Sequence, residues 1–535
     1  MESSSLVLKL ERRLKHMKSM RGTFETHWQE VADYVIPRKN DITTYHHPGE
    51  KRNFVVYDDT ATQSNNLLAG ALQGMLTNPT LEWFELTTGD TEVDDQSDIR
   101  EFLGRTTRKM HDIINASNFQ TQIHEVYLDL GTIGTGNLAM IEDDKSIIRF
   151  MSKHISEYYI EEDNRGRVDT VFCEYRWSVR KIVQEFGMDA LPKFIAEKFE
   201  KKPESEICVV HAVFPKADYS EIDTPHDIAS VWYLQKEKYV IAEGGFRKFP
   251  FAVPRWTKIS GEIYGRSPSM QALPSIKMLN QMQKTTIIGA QKAVNPPLLV
   301  NDDGVIQPVN TFPGGLNYVR PGIQGPAIVP LMENTRIDFG IQIIQEHRRQ
   351  VREAFFVDQL QLRHGPQMTA TEVMQRTEEQ MRLLGPMLGR QQIELLSPLI
   401  DRLFDIMLRR KIINKEDIPL DLSEADLKVQ YKSLVARSQR INEAQNILRA
   451  IESSAPFIQV DPSVMDNYDG DKAVRRIARL FSVPQEIIRD EEDIQDTRDQ
   501  RSQAMAAQQQ RQVASEEANI NAVDAQTATQ LNNIT

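Results

Sequence analysis

The sequence predicts an α+β chain, mainly helical, made of several domains. Three observations carry this. Apolar residues recur at three- and four-residue steps through most of the chain. One central stretch instead alternates in short runs rich in Val, Ile, Tyr and Phe. No internal repeat organises the whole. With 535 residues, 40% hydrophobic and 26% charged, the chain can bury large cores, which excludes wholesale disorder.

The first helix carries Leu6, Leu10, Leu14 and Met17 on one face. The apolar triplet Leu6-Val7-Leu8 is cut off by Lys9, too short and too charged for a signal peptide. A second helix, about Ala61 to Leu76, is expected to present Leu67, Leu68, Ala71, Leu72 and Met75 on one side. It stops at Asn78-Pro79, because proline disfavours helical backbone in the residue before it. An extended piece, Leu81 to Thr88, follows. From Gly131 to about Tyr239 strands are expected at Ser146 to Phe150, Glu157 to Ile160 and Val168 to Trp177, with Asn164-Arg165-Gly166 as a hairpin turn.

A helical stretch then begins at Ser267-Pro268, with Pro274 marking its true first turn or a kink. Ile276, Leu279, Met282, Ile287, Ala290 and Val294 are spaced for a buried stripe. A Pro- and Gly-rich insert of short strands and turns occupies Asn295 to Asn334, and a second helix runs from about Arg336 to Phe356. After a loop from Val357 to Met368, Thr369 and Glu372 form a capping box that opens a helix to about Lys411. Gly385-Pro386 and Ser397-Pro398 should bend it, and Arg409, Arg410 and Lys411 suit the negative end of its dipole. A strand-like segment, LKVQYKSL, precedes a helix through Ile441, Ala444, Ile447, Leu448 and Ile451. A loop is expected around Pro456 to Tyr468, then a helix holding Val474, Ile477, Ala478 and Leu480. From Arg501 the chain is Ala-, Gln-, Asn- and Thr-rich, read as disordered or helical only on assembly.

Charge and motif content exclude several function classes. Lys plus Arg total 64 against 76 Asp plus Glu, a formal net charge of −12, so no generally basic surface wraps nucleic acid and any DNA contact is local. Cys173 and Cys208 cannot build a disulfide framework or a thiolate metal site. No apolar run approaches the roughly 18 residues of a membrane span, so a soluble protein with no membrane contact is expected. No G-x-x-x-x-G-K-[ST] loop occurs, and Gly131, Gly134 and Gly136 read as a tight turn feeding a strand. His124-Glu125 would need a second ligand where Leu128 stands. Gly265-Arg266-Ser267-Pro268-Ser269 suits a helix start better than a nucleophile elbow. Glu161-Glu162-Asp163 offers carboxylates for Mg²⁺, but neighbours on a strand point to opposite faces, so a solvated hairpin end is the reading preferred. Neither catalysis nor a cofactor or metal is expected.

Five stretches, in order, carry a resemblance: NNLLAGALQGMLTNPTLEWFEL (Asn65 to Leu86), GEIYGRSPSMQALPSIKMLNQMQK (Gly261 to Lys284), NPPLLV (Asn295 to Val300), MTATEVMQRTEEQ (Met368 to Gln380) and SLVARSQ (Ser433 to Gln439). Together they resemble the head-to-tail connecting (portal) proteins of short-tailed, podovirus-type bacteriophages, over roughly Leu6 to Gln500. The resemblance implies the phage portal fold and a ring, usually a dodecamer, at one capsid vertex. It implies an α/β wing region at 1–266, stem helices at 267–294 and 335–356, and a small β-type clip at 295–334. It further implies a tunnel loop at 357–368, a long kinked helix and return to the wing at 369–435, a helical crown at 436–500, and a tail at 501–535 outside the family pattern. The implied partners are the terminase (packaging ATPase), tail adaptor proteins, the major capsid and scaffolding proteins, and duplex DNA passing without sequence specificity.

Charge then nominates channel residues. Lys277 and Lys284 share a stripe on a helix that has no Asp or Glu between Ser267 and Val294; Arg348, Arg349 and Arg352 cluster on the second helix; Arg363 and His364 sit in the loop. Each becomes a ring of charge after assembly, and the alternative for each is a solvated face or an ion pair with, for example, Glu346 or Glu353. In the insert, Leu298, Leu299, Val300, Ile306, Phe312, Tyr318 and Val319 exceed what so short a tip can bury, which points to packing on neighbouring subunits and to a docking surface. A self-contained small β domain is the alternative. The rival functions are a tail-tube or internal core protein, and a metal-dependent nuclease using Glu161 and Asp163.

Overall fold

The computed structural model describes residues 2–47, 49–52, 55–94, 96–300, 307–312, 315–318, 328–330, 337–360, 384–414, 418–419, 428–431, 434–461, 466–481 and 494–508. The chain divides into two compact units: Met1–Thr87 with Gly104–Ser433, and Thr88–Leu103 with Leu434–Thr535.

The first unit is organised by a five-stranded antiparallel sheet in the order β4-β5-β6-β7-β8. Its strands are β4 (Tyr158–Glu162), β5 (Val168–Ser178), β6 (Glu206–Pro215), β7 (Ile228–Leu234) and β8 (Tyr239–Phe246). Successive side chains on a strand alternate between faces, and two cores follow from that. Val210, Ala212, Phe214 and Tyr233 pack with Leu6, Leu10, Leu14 and Met17 of α1 (Glu2–Val35). Val209 and Leu234 point the other way, onto Val179 and Ile182 of α6 (Val179–Phe186) and Ile195 of α7 (Lys193–Lys201). The expected hairpin turn is present. Asp163 Oδ1 accepts from the Arg165 and Arg167 amides at 2.8 and 2.8 Å, and Gly166 takes φ +76°.

A three-stranded sheet in the order β3-β2-β9 lies in the same unit, with β2 at Leu138–Asp143, β3 at Ile147–Ser152 and β9 at Phe251–Ala252. Ahead of it in the chain run α2 (Thr60–Leu76), β1 (Phe84–Thr87) and α5 (Phe119–Thr132) of the same unit, while α3 (Thr91–Asp94) belongs to the second unit and α4 (Ser97–Ala116) begins there. The buried face of α2 is rotated from the one expected. Ser64, Asn65, Leu68, Ala69 and Leu72 are buried while Leu67 is exposed. The reason is polar: the buried Asn65 amide donates to Leu128 O at 3.2 Å and Thr132 Oγ1 at 2.9 Å on α5. β1 pairs antiparallel with β12 (Lys428–Tyr431), the strand-like segment of the sequence, with Phe84 opposite Tyr431.

α8 (Pro268–Val294) starts at Ser267 and continues through Pro274, so that proline lies inside the helix rather than in its first turn. β10 (Leu298–Val300) pairs with β11 (Ile328–Pro330), and α9 (Ile337–Ala354) packs back along α8. The expected loop at 357–368 opens instead on a helical turn, α10 (Val357–Leu360), anchored by buried Val357. The capping pair Thr369 and Glu372 lies outside the described residues.

The bend expected at Ser397-Pro398 takes a specific form. Helical backbone over 384–391 passes into a π segment, Gln392–Leu396, before α11 (Ser397–Arg409). Pro398 has no N–H to return to the preceding turn. One residue earlier, the Gln392 carbonyl accepts the π bond from Ser397 N and also bonds Ser397 Oγ at 3.0 Å and Tyr431 Oη at 3.2 Å. At the far end Arg409 and Arg410 meet carboxylates as well as a helix dipole: Arg409 pairs with Glu142 at 2.9 Å and Asp405 at 3.1 Å, Arg410 with Glu142 at 2.8 Å.

In the second unit α12 (Leu434–Val460) runs through Pro456, where a loop was expected, and α13 (Gly470–Leu480) packs on it. Arg476 pairs with Glu443 at 2.8 Å, and Arg498, in a helical stretch at 494–508, with Asp471 at 2.7 Å.

Candidate functional site

The site is the helix pair α8 and α9 with the tip between them. Its base is built by close backbone approach. Gly134 (φ +85°) lies so near the Arg266–Ser267 peptide that a Cβ would sit 2.7 Å from the Arg266 carbonyl carbon, which only glycine tolerates. Ser267 Oγ accepts from the Met270 amide at 3.0 Å, capping α8, and donates to Thr132 O at 2.6 Å. Ser269 Oγ donates to Gly131 O at 2.6 Å. The Gly-rich turn and the Gly265 to Ser269 segment are thus two halves of one joint.

From that joint Met270, Ala272, Leu273, Ile276, Leu279 and Asn280 are buried. Beyond Asn280 the expected stripe does not continue: Ile287 and Ile288 are exposed and Val294 is 88% exposed. On α9 Ile344 and Val351 are buried, while Ile341 is exposed. Both helices therefore leave the body at the same level. Past it, Leu298, Leu299, Val300, Leu316 and Tyr318 are all exposed, and Phe312 is 80% exposed. Asn310 and Asn317 tie the tip's described residues together, with Asn317 Nδ2 on Asn310 O at 2.9 Å and the Asn310 amide on Asn317 Oδ1 at 2.6 Å. Ile306 and Val319 lie outside the described residues.

The nominated cations separate into groups. Lys277 is an ion-pair partner of Glu30 on α1, and that carboxylate holds its ammonium pKa up. Arg348 makes a two-pronged contact with Asp58, Nε at 3.0 Å and Nη2 at 2.8 Å. Arg349 pairs with Glu346 at 2.7 Å and Glu353 at 2.9 Å, the ion-pair alternative. Lys284 sits over the Tyr57 ring at 5.3 Å. Arg352 is exposed. Arg363 and His364 lie outside the described residues. Sequence reasoning passed over Lys292, which is exposed in the last turn of α8, roughly in line with Lys277 and Lys284. It also passed over Asn280, whose signal was a lone amide inside an apolar stripe.

The carboxylates weighed for Mg²⁺ have other partners. Glu161 holds Arg13 at 2.7 Å on one face of β4; Glu162, on the other, holds Arg255 and Lys258. They form ion pairs rather than a solvated hairpin end. Arg255 is 1% exposed and also grips Glu394 of the π segment at 2.8 Å. His124 Nδ1 meets Gln73 Oε1 at 3.0 Å, and Glu125 pairs with Arg38 at 2.9 Å. Among the described residues no group of three or more His, Cys, Asp or Glu is placed to hold a metal ion, and no helix is long and apolar enough to cross a membrane.

The family described as "Bacteriophage head to tail connecting protein" matches residues 8–488. A probable portal protein of Bordetella phage BPP-1 is 31% identical over 92% of this chain and 91% of its own length. The portal protein of Salmonella phage epsilon15 is 30% identical over 94% and 92%. That of Enterobacteria phage T3 is 22% identical over 83% and 82%. The chain belongs to the bacteriophage head to tail connecting protein family, and its role is that of a portal in the phage virion.

Proposed function

We propose that the chain assembles side by side into a ring, a dodecamer, whose channel conducts duplex DNA without reading its sequence. In this reading the α8–α9 pair is the stem and the insert between them the clip. The observation that carries it is the change along α8: a helix buried to Asn280 and then exposing Ile287, Ile288 and Val294 leads into a tip whose large apolar side chains face outward. An apolar surface of that extent is covered in use. Leu298, Leu299, Phe312 and Tyr318 are proposed to pack on neighbouring subunits and to present a surface to the terminase and tail adaptors, while capsid and scaffolding proteins meet the wing.

Lys284, Arg352, Arg363 and His364, joined by Lys292, are the proposed channel cations. Lys277 and Arg348 already have carboxylate partners in the same chain and contribute less net charge. A net charge of −12 with sparse cations suits a conduit, since tight phosphate contact would stall a moving duplex. The chain is read as a structural protein rather than an enzyme. Negative-stain imaging of the purified chain tests this: a wide-channelled ring is expected, whereas a tube or a persistent monomer overturns it. Magnesium-dependent DNA cleavage by the same sample would favour the nuclease.

A further inference from the structure

The residues just before α2 form a strap across both helices of the pair, at the level where they leave the body. From α8, the Asn280 side chain accepts from the Tyr57 amide at 2.6 Å and the Asp58 amide at 3.3 Å, and donates to Val55 O at 2.8 Å. One amide thus saturates three backbone groups of the strap. From α9, Arg348 reaches Asp58 with two nitrogens; the Asp58 side chain is 2% exposed and also accepts from the Thr60 amide at 3.0 Å. Lys284, one turn beyond Asn280, covers Tyr57. Asn280 is the last buried residue of α8, and Arg348 lies one turn beyond Ile344, the point at which α9 becomes buried.

We infer that the strap Val55–Thr60, with Asn280 and Arg348, is a clamp that sets the angle at which the helix pair leaves the body, and through it the number of subunits that close a ring. This rests on the reading of the chain as a ring-forming portal. The physical argument is geometric. A head-to-tail interface closes only if the rotation per subunit divides the circle, so a small angular change at the base becomes a different subunit number. The contacts suit a fixed angle: Arg348 Nε and Nη2 converge on Asp58 Oδ2 while Asp58 Oδ1 is held by the Thr60 amide, so the buried carboxylate is fixed from two sides by charge-assisted and backbone bonds. Asn280, held by both ends of its amide, cannot rotate without losing a bond. Arg348 is therefore a positioning residue of the stem rather than a DNA-facing charge.

Native mass spectrometry of rings of the full chain tests the clamp, with wild type beside Arg348→Gln, Asp58→Asn and the double variant. Wild type should show one subunit number. Each single variant should shift part of the population to a second number, the double variant should shift it no further, and Arg348→Lys should restore part of the wild-type distribution. A thermal melt of each variant reports folding; if Arg348→Gln does not fold, Arg348→Lys and Asn280→Ser, which shorten the clamp without stranding a charge, are read instead. A wild-type chain that yields no ring overturns the portal reading itself. A uniform wild-type ring whose variants keep the same number overturns the clamp alone, as does a change in salt-dependent DNA retention for Arg348→Gln that Asp58→Asn does not share.

Discussion

The two halves of α8 obey opposite rules. Before Asn280 the Ser267 and Ser269 hydroxyls have partners within the chain, and Met270, Ala272, Leu273, Ile276 and Leu279 are buried. After it, the same helix carries Ile287, Ile288 and Val294 into solvent and hands over to an exposed apolar tip. One half is completed by its own chain. The other is complete only when something else covers it, so substitutions in the two halves should fail in different ways.

The largest effect belongs to the self-completed side. Arg255→Ala removes the buried guanidinium shared by Glu162 and Glu394, leaving them only Lys258 and Arg390, and should destabilise the isolated chain by about 3–5 kcal/mol, read by denaturant unfolding. Leu279→Ala should cost about 2–5 kcal/mol in the same measurement, whereas Ile287→Ala should lie within about 0.5 kcal/mol of wild type. Equal losses for the two would erase the distinction between the halves. Tyr318→Asp should leave monomer stability unchanged yet disturb ring formation or docking, seen by sedimentation and packaging; unaltered assembly and packaging would return the tip to a self-contained β domain.

A subtler prediction concerns pH. His211 is buried against Trp232 with ring centroids 3.9 Å apart and meets Ser230 Oγ at 2.9 Å. Burial, with the Lys153 charge adding to it, lowers its pKa from the ordinary 6.5 to about 3. Folded His211 is thus neutral where the unfolded chain binds a proton. Stability is fully present above about pH 6.5 and is lost as pH falls from there toward 3, at up to about 1.4 kcal/mol per unit. His211→Gln should flatten that limb; an unchanged pH profile refutes the assignment. Last, Lys284→Gln removes a cation over Tyr57 and should cost about 0.5–1 kcal/mol, while lowering the salt sensitivity of DNA passage slightly if the charge faces the channel.

What was legible in the sequence was local. The stripe of Leu6, Leu10, Leu14 and Met17, the Asn164-Arg165-Gly166 turn and the helix, tip, helix order all depend on spacings within a few residues, which periodicity reads directly. The family resemblance rested on ordered stretches of that kind and is shown by the relatives. What was not legible depended on distant partners. Nothing near Arg348 announces Asp58, 290 residues away. Nothing near Asn65 says that its amide is wanted on α5, which is why the buried face of α2 was misjudged. Proline breaks isolated helices and so predicts a loop at Pro456, yet α12 continues through it. The channel residues were nominated by charge alone, and charge does not say whether a carboxylate from another part of the chain reaches them first.

The pairing of β1 with β12 has a consequence for how the polypeptide is born. Phe84 must wait on the ribosome until Tyr431 emerges about 350 residues later, on the order of 20–70 s at ordinary elongation rates. Throughout that interval a nascent strand edge lies open, so the step most vulnerable to misassociation falls near the end of translation, and slowing synthesis between those two points should lengthen the need for chaperone shelter.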